Sequence, residues 1–559
     1  MSDDIEQEFG EEGLDRGDGV SGDEGQFGEE DMEGAGEEEI AEAGEQFGDE
    51  EEMEEAREEE EEIEGTGEEE EIEGTGEEEV GEDEELIEED EARELDEEVD
   101  EGETEDGKEK KSLSRPKKRL KVATVQPVDR ISKLPIYLLI GIISRLDTKD
   151  AVITSALSKR WKLLWLFSPE LKFREKSEEI ETISKFVSWV NRLLVIYNSD
   201  FLWNFEMEFT YYECFASDVY AWLANAIKSE VMQLSLLLNS SPSKDLYKMP
   251  QLLFCNPSFE RLRFKRCIMA PRRNIDWKSL TRLLLEEMEL PQHVIDKLLS
   301  GCPLLTNLLL LSCWGFNRLE VKTQKLDVLG IGDAKDGVSD PLLEISAPLT
   351  ECLLLTSYPR GRKWSVTNIP SVVKANIDFA GSDWDASSVE VMGNMKDLLA
   401  DLQHVEELEL RSDCIKVFSM LAMNGWEVPK SKRGSLIVNT TCNEQIISGI
   451  LFILESSPSI EKLVVTGYRP DEEAVTLCPG AKCDLDCDLL HLKYVHITIW
   501  PDPNLAGEPM MTLAQVLLKR ATVLEKMVID VEYTTHFVEV IQTLLGYPRS
   551  SPNAVIELR

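Results

Sequence analysis

SLTRLLLEEMELPQHVIDKLLSGCPLLTNLLLLSCW, residues 279–314, decides the fold. Two short apolar runs flank a stretch of different period. Within that stretch Val294, Leu298 and Leu299 recur at helical spacing, and Gly301 and Pro303 then supply a stop. Each flanking run has the outline apolar-x-x-Leu-x-Leu, so alternation places its leucines on one face of a strand. One strand and its connection cannot cover such a face. The next copy must stack on it.

The outline recurs along the chain. SFERLRFKRC (258–267) precedes the opening stretch, and TQKLDVLGIG (323–332), PLTECLLLTS (348–357) and PSVVKANIDFA (370–380) follow it. HVEELELRS (404–412), PSIEKLVVTG (458–467), LLHLKYVHITI (489–499) and ATVLEKMVIDV (521–531) continue the series. From Phe259 to Leu355 the spacing is roughly 18–25 residues, the range of leucine-rich repeats. Asn at the usual turn position is mostly absent, so the repeat is degenerate. The expected fold is α/β: a leucine-rich-repeat solenoid with a parallel β arc and helical or irregular outer connections. Its expected span is 176–475, with 476–559 a C-terminal region and cap.

Charge divides the rest of the chain. The 559 residues carry a formal net charge of -54, yet residues 1–106 hold 56 Asp+Glu and 3 Arg, which gives -53. The remaining 56 acids and 55 bases nearly cancel. Residues 1–107 contain EEEEIEGTG twice in tandem, at 59–67 and 68–76. Such a segment has too little apolar surface to offset its ordering entropy and is expected to be a disordered acidic tail. Two roles are open to it: a solvating tail, or a polyanion that binds basic proteins such as histones. Residues 108–126 then form a basic linker. Lys108, Lys110, Lys111, Arg115, Lys117, Lys118, Arg119 and Lys121 are a nuclear-localisation candidate, the alternative being a counter-charge to the tail. MSDDIEQEFG has neither the basic nor the apolar region of a secretory leader, and no apolar run reaches the span of a bilayer. All eleven cysteines lie beyond residue 200, mostly singly within apolar runs, which suits free thiols in nucleus or cytoplasm.

Between linker and repeats stands DRISKLPIYLLIGIISRLDTKDAVITSALSKRWKLLW, residues 129–165. Pro135 is placed at a helix start. Leu138, Leu139, Ile142, Ile143 and Leu146 make one broad apolar stripe, and Asp147–Asp150 supply a turn and cap. Trp161, Leu164 and Trp165 make another stripe at i, i+3, i+4. Three short helices in about 40 residues are near the limit of independent stability. Their apolar faces either cap the solenoid or meet a second protein.

These residues resemble an F-box motif, and in particular the large plant group that joins an F-box to leucine-rich repeats and often an FBD domain. The resemblance rests on Leu134-Pro135, Leu138-Leu139, Ile142-Ile143, Thr148–Ala151, Thr154-Ser155, Leu157–Trp161 and Leu164-Trp165. Ile136 and Asp147 depart from the usual acid and Pro, and Gly141 sits inside the first helix. The resemblance places an F-box at 127–175. It implies docking on the Skp-type adaptor, and through it on a cullin scaffold, of an SCF ubiquitin ligase. The docking set would be Leu134, Pro135, Leu138, Leu139, Ile142, Ile143, Leu146, Leu157, Ser158, Trp161, Leu164 and Trp165. Leu134, Pro135, Leu139, Ile143 and Leu157 are the candidate anchors; Trp161 and Trp165 serve equally well as the module's own core. The repeats would hold a target protein. LLHLKYVHITIW and MTLAQVLLKRATVLEKMVIDV, with a helix stripe of Leu513, Val516, Leu517 and Leu524, loosely resemble an FBD domain.

No catalytic motif stands out. GxxxxGK[ST], HExxH and GxSxG are absent, and GIGD at Gly330–Asp333 lacks the third glycine of a dinucleotide loop. Cys478, Cys483, Cys487 and His491 are a weak metal candidate whose spacing matches no standard zinc knuckle. The pairs Glu286-Glu287 and Glu406-Glu407 read as solvated faces. The expectation is a non-enzymatic, cofactor-free receptor subunit that contacts neither membrane nor nucleic acid directly.

Overall fold

The computed structural model describes residues 131, 134–197, 201–323, 325–333, 342–357, 362–379, 388–441, 444–468, 488–499, 508–531, 542 and 544–559. The acidic tail, the basic linker with its eight candidate bases, and Cys478, Cys483 and Cys487 lie outside the described residues.

Fifteen parallel strands form one sheet. In order they are β1 (Glu170–Arg174), β2 (Asn204–Thr210), β3 (Gln233–Asn239), β5 (Arg261–Lys265), β7 (Arg282–Glu286), β8 (Asn307–Leu311), β10 (Val328–Gly332) and β12 (Cys352–Ser357). The sheet continues through β14 (Lys374–Phe379), β15 (Glu407–Arg411), β16 (Ser435–Thr441), β17 (Lys462–Tyr468), β18 (Tyr494–Ile499), β19 (Lys526–Val531) and β20 (Val555–Leu558). Two small parallel ladders flank it: β4 (Tyr247–Lys248) with β6 (Cys267–Ile268), and β9 (Arg318–Glu320), β11 (Leu342–Ser346) and β13 (Lys363–Thr367).

The register holds across the whole sheet. Leu234 aligns with Leu262, Leu262 with Leu283, Leu283 with Leu308, and Leu308 with Leu329. Farther on, Leu408 aligns with Leu436, and Leu436 with Leu463. All are buried. The period of two therefore builds one continuous apolar column and leaves the alternate residues on the opposite face. Helices cover the buried side: α3 (Ile180–Ile196), α4 (Ala216–Lys228), α5 (Gln292–Gly301), α6 (Val389–Asp401), α7 (Ser412–Met423), α8 (Glu444–Ser456) and α9 (Glu508–Arg520). The helix expected from Val294 and Leu298 is α5, with both residues in the core. Its last residue, Gly301, admits no side chain, because a β-carbon would lie 2.3 Å from the Ile275 carbonyl oxygen.

The turn after several strands takes a left-handed residue. Arg266, Glu287 and Ser312 follow β5, β7 and β8 with φ of 56°, 50° and 52°. Each donates its N–H to the next strand. Non-glycine residues accept the left-handed region here at about 1–2 kcal/mol each, a cost the continuous ladder offsets.

Two expected boundaries fall within the sheet. β1 lies within 127–175, so the sheet starts inside the segment assigned to the N-terminal module. The break at 475/476 does not exist in the sheet, since β18, β19 and β20 extend it in register. The strand–helix–strand cadence read near the C-terminus is β18, α9 and β19, with Leu513, Val516, Leu517 and Leu524 buried: it is further solenoid. Among the described residues no helix is long and apolar enough to cross a membrane.

Candidate functional site: the helical module and the open face of the sheet

The N-terminal module holds α1 (Ile136–Ile143), α2 (Thr148–Ile153) and two 3-10 turns, Thr154–Ala156 and Leu164–Phe167. Pro135 stands one residue before α1, at its N-cap. The expected third helix is not α-helical. Trp161, Leu164 and Leu166 instead donate to Ser158, Trp161 and Leu163, three residues back. Trp161, Leu164 and Trp165, all placed in the docking set, are buried, which agrees with the alternative that Trp161 and Trp165 form the module's own core.

The broad stripe on α1 resolves into two. Leu139 and Ile143, four residues apart, are both 0% exposed and share a core with Trp161, Trp165, Leu171 and Phe173. Leu138 and Ile142, one residue earlier on the wheel, are 44% and 42% exposed. The expectation that Leu139 and Ile143 are bare anchors is therefore corrected. A 100° step between neighbouring residues turns one pair inward and the other outward. Leu134 and Leu146 are partly buried against the core, Pro135 is exposed, and Ser158 is half-buried. Leu157, at 67%, is exposed as an anchor must be.

The outward side is more apolar than the sequence reading allowed. Ile136, Tyr137 and Ile153 join Leu138, Ile142 and Leu157, and Leu163 and Phe167 are exposed as well. A signal for the missed residues existed: an apolar stripe of five residues is too wide for one neighbour to cover. Ser155 and Ser158 add buried hydroxyls without a hydrogen-bond partner.

Polar contacts fix this module to the first strand. Lys172 N donates to Thr148 Oγ1 at 2.7 Å, Ser168 Oγ to Ser144 Oγ at 3.0 Å, and Tyr197 Oη to the Ser168 carbonyl at 2.8 Å. Arg174 reaches Glu206 at 2.7 Å and Asp147 at 3.6 Å, so Asp147 holds the joint as well as standing at the N-cap of α2. The module thus does both things open to it. One side caps the solenoid; the other is left apolar and uncovered.

The open face of the sheet carries its charges mostly as pairs. Glu286 and Glu287, expected to be solvated, are half-buried in ion pairs with Lys265 and Arg266. Burial acts to raise the Glu287 carboxyl, but Lys265 and Arg266 outweigh it and hold it low. Glu406 is exposed, and Glu407 pairs with Lys374 at 3.1 Å. GIGD proves structural. Gly330 and Gly332 belong to β10, and Asp333 is buried with Arg362 at 3.0 Å. Burial pushes the Asp333 carboxyl up, and Arg362 and Ser357 oppose the shift. Arg362 also donates to the carbonyls of Phe316 and Cys313.

Among the described residues no group of His, Cys, Asp and Glu could hold a metal, and His491 is exposed. The seven described cysteines are free. Burial pushes the Cys302 and Cys313 thiols up to about 12, far from nucleophilic range.

The solenoid carries ion-paired carboxylates on its open face and is closed at one edge by a helical module with a bare apolar side. Residues 202–544, more than half of the chain, match the family described as At1g61320/AtMIF1, LRR domain, and residues 131–172 match the F-box domain. F-box/LRR-repeat protein At3g03360 of Arabidopsis thaliana is 26% identical over 457 residues, 77% of this chain and 90% of that protein. F-box/LRR-repeat protein At3g26922 of the same plant is 32% identical over 295 residues, 51% of this chain and 93% of that protein. The chain belongs to the F-box/LRR-repeat family, whose members are in general non-catalytic adaptors.

Proposed function

We propose that this protein is the substrate-recognition subunit of an SCF-type ubiquitin ligase. The observation that carries the reading is the apolar side of the module formed by Tyr137, Leu138, Ile142, Ile153 and Leu157, exposed although the opposite side of the same helix is sealed. Large side chains left in water in one cluster mark a docking surface for another protein. A groove in the helix bundle of a Skp-type adaptor supplies the cover, and the adaptor connects the chain to a cullin scaffold. The open face of the repeats then holds the target. Ubiquitin transfer belongs to other subunits. The contribution of this chain is to hold the target near the donor, an effect of proximity and not of side-chain chemistry.

The test is co-expression with a Skp-type adaptor and capture through the adaptor. Wild type is recovered, and Leu138→Asp with Leu157→Asp is not, although the double variant stays folded by circular dichroism. Recovery of the double variant at wild-type yield contradicts the assignment.

A further inference from the structure

A groove that the receptor reading does not use lies between the first turn of α4 and the small β4–β6 ladder. Its volume is about 470 Å³, within the range of small-molecule sites. Ser217, Tyr220, Tyr247, Lys248, Gln251 and Arg272 are among its walls, and no acidic residue lines it.

The two bases are placed but not paired. Gln251 donates its side-chain amide to the Ala270 carbonyl at 2.9 Å and accepts from Arg272 N at 2.8 Å, which ties the two loops together and sets Arg272 at the groove. Lys248 is fixed on β4, which pairs with β6. Both side chains are exposed, and among the described residues neither has a hydrogen-bond or ion-pair partner. Lys297 Nζ reaches the Pro271 carbonyl at 2.8 Å, so a further positive charge stands one residue from Arg272. Asp218, the acid in the first turn of α4, accepts from Asn191 Nδ2 at 2.6 Å.

The two tyrosines differ in kind. Tyr220 is 50% exposed and offers its ring as a wall. Tyr247 is 4% exposed and packs edge-on against Tyr211, with ring centroids 5.6 Å apart. Its hydroxyl has no hydrogen-bond partner among the described residues. Burial pushes that phenol up, so it remains a donor at neutral pH. A hydroxyl left over at the wall of a groove is satisfied by an acceptor on a ligand.

Lys248 and Arg272 give the groove walls a charge of +2. A carboxylate balances half of this, whereas a phosphate monoester, at about -1.5 to -2, balances it fully. Arg supplies a planar fork for two phosphate oxygens, and Lys supplies a point charge beside it. The open ring of Tyr220 is a flat surface on which a planar base stacks. We infer that this groove binds a nucleoside monophosphate, with its phosphate on Lys248, Arg272 and the Tyr247 hydroxyl and its base on Tyr220. The site is separate from the adaptor-docking side of the module and stands independently of the receptor assignment.

The test is calorimetric titration of the full chain with AMP, UMP, adenosine, uridine and inorganic phosphate. The nucleotides bind at least about tenfold tighter than the nucleosides or free phosphate, and their affinity falls with added salt. Lys248→Glu with Arg272→Glu, both at exposed positions, weakens the nucleotides at least about tenfold at unchanged circular dichroism. Tyr220→Ala removes their advantage over free phosphate, and Tyr247→Phe weakens nucleotides and phosphate alike. Nucleotides that bind no better than nucleosides or than free phosphate, or that bind the Lys248–Arg272 double variant at wild-type affinity, overturn the inference.

Discussion

Arg433 occupies a core position. The backbone ladder aligns it with Val405 on the preceding rung and Ile460 on the following one, because Gly434 N donates to the Glu406 carbonyl and Glu461 N to the Gly434 carbonyl. Both neighbours in that column are fully buried, and Arg433 is itself 2% exposed. Its Nε finds no acceptor. Burial without a counter-charge lowers its pKa from 12.5 to about 10. At 1.36 kcal/mol per unit, the charged form then costs the fold about 3 kcal/mol. Folded Arg433 releases its proton more readily than unfolded Arg433, so this cost is fully present at neutral pH and fades only as pH rises above about 10. Arg433→Leu restores the apolar column, and its expected gain is of the same size, about 3 kcal/mol. A chain of this length need not unfold in two states, so the readout is local: hydrogen exchange of amides in β16 and β17, compared between variant and wild type. Protection rises about a hundredfold there and little in β1–β3. Unchanged or faster exchange in β16 would refute the reasoning, since it would mean that the guanidinium is solvated or satisfied.

Three other outcomes follow from the same structure. Arg362→Met leaves Asp333 buried without a counter-charge and lowers local stability by about 3–5 kcal/mol, read as lost hydrogen-exchange protection in β10 and β12, whereas Arg362→Met combined with Asp333→Leu recovers most of the loss. In the native protein a maleimide labels Cys214 and Cys255, which are exposed, and spares Cys267, Cys302, Cys313 and Cys414, which are buried; labelling of the second group without denaturant contradicts the core described here. Leu139→Asp melts the module and is seen as lost protection in α1, while Leu138→Asp leaves that protection intact; equal effects of the two would erase the distinction between inner and outer stripes.

The repeat was legible because its signal is a period of two repeated many times. Where the outline apolar-x-x-Leu-x-Leu survives, from 258 to 411, strands fell where they were expected. β1 and β2 were not read, since Phe205, Met207 and Phe209 replace the leucines of β2; β3 was passed over although Val231, Leu234 and Leu236 keep the outline. β16 was also passed over, because Arg433 stands where its neighbours have an apolar residue. The boundary expected near 475 has a different origin. A long stretch without the repeat outline precedes 489 in the sequence, yet β18 still pairs with β17. In the module, composition identified the apolar residues but not which way each pair turns. That depends on the rotation of α1 against Trp161 and Leu171, a tertiary fact that helical spacing does not contain.

The most direct measurement is the affinity of a purified Skp-type adaptor for the full chain and for two pairs of point variants. The bare side of the module predicts tight binding by wild type. It predicts a loss of at least about a hundredfold for Leu138→Asp with Leu157→Asp, at unchanged protection of the repeats. Charge reversal at Arg261 and Arg263 on β5 leaves adaptor affinity unchanged. Full adaptor affinity in the Leu138–Leu157 variant, or none in the wild type, contradicts the account.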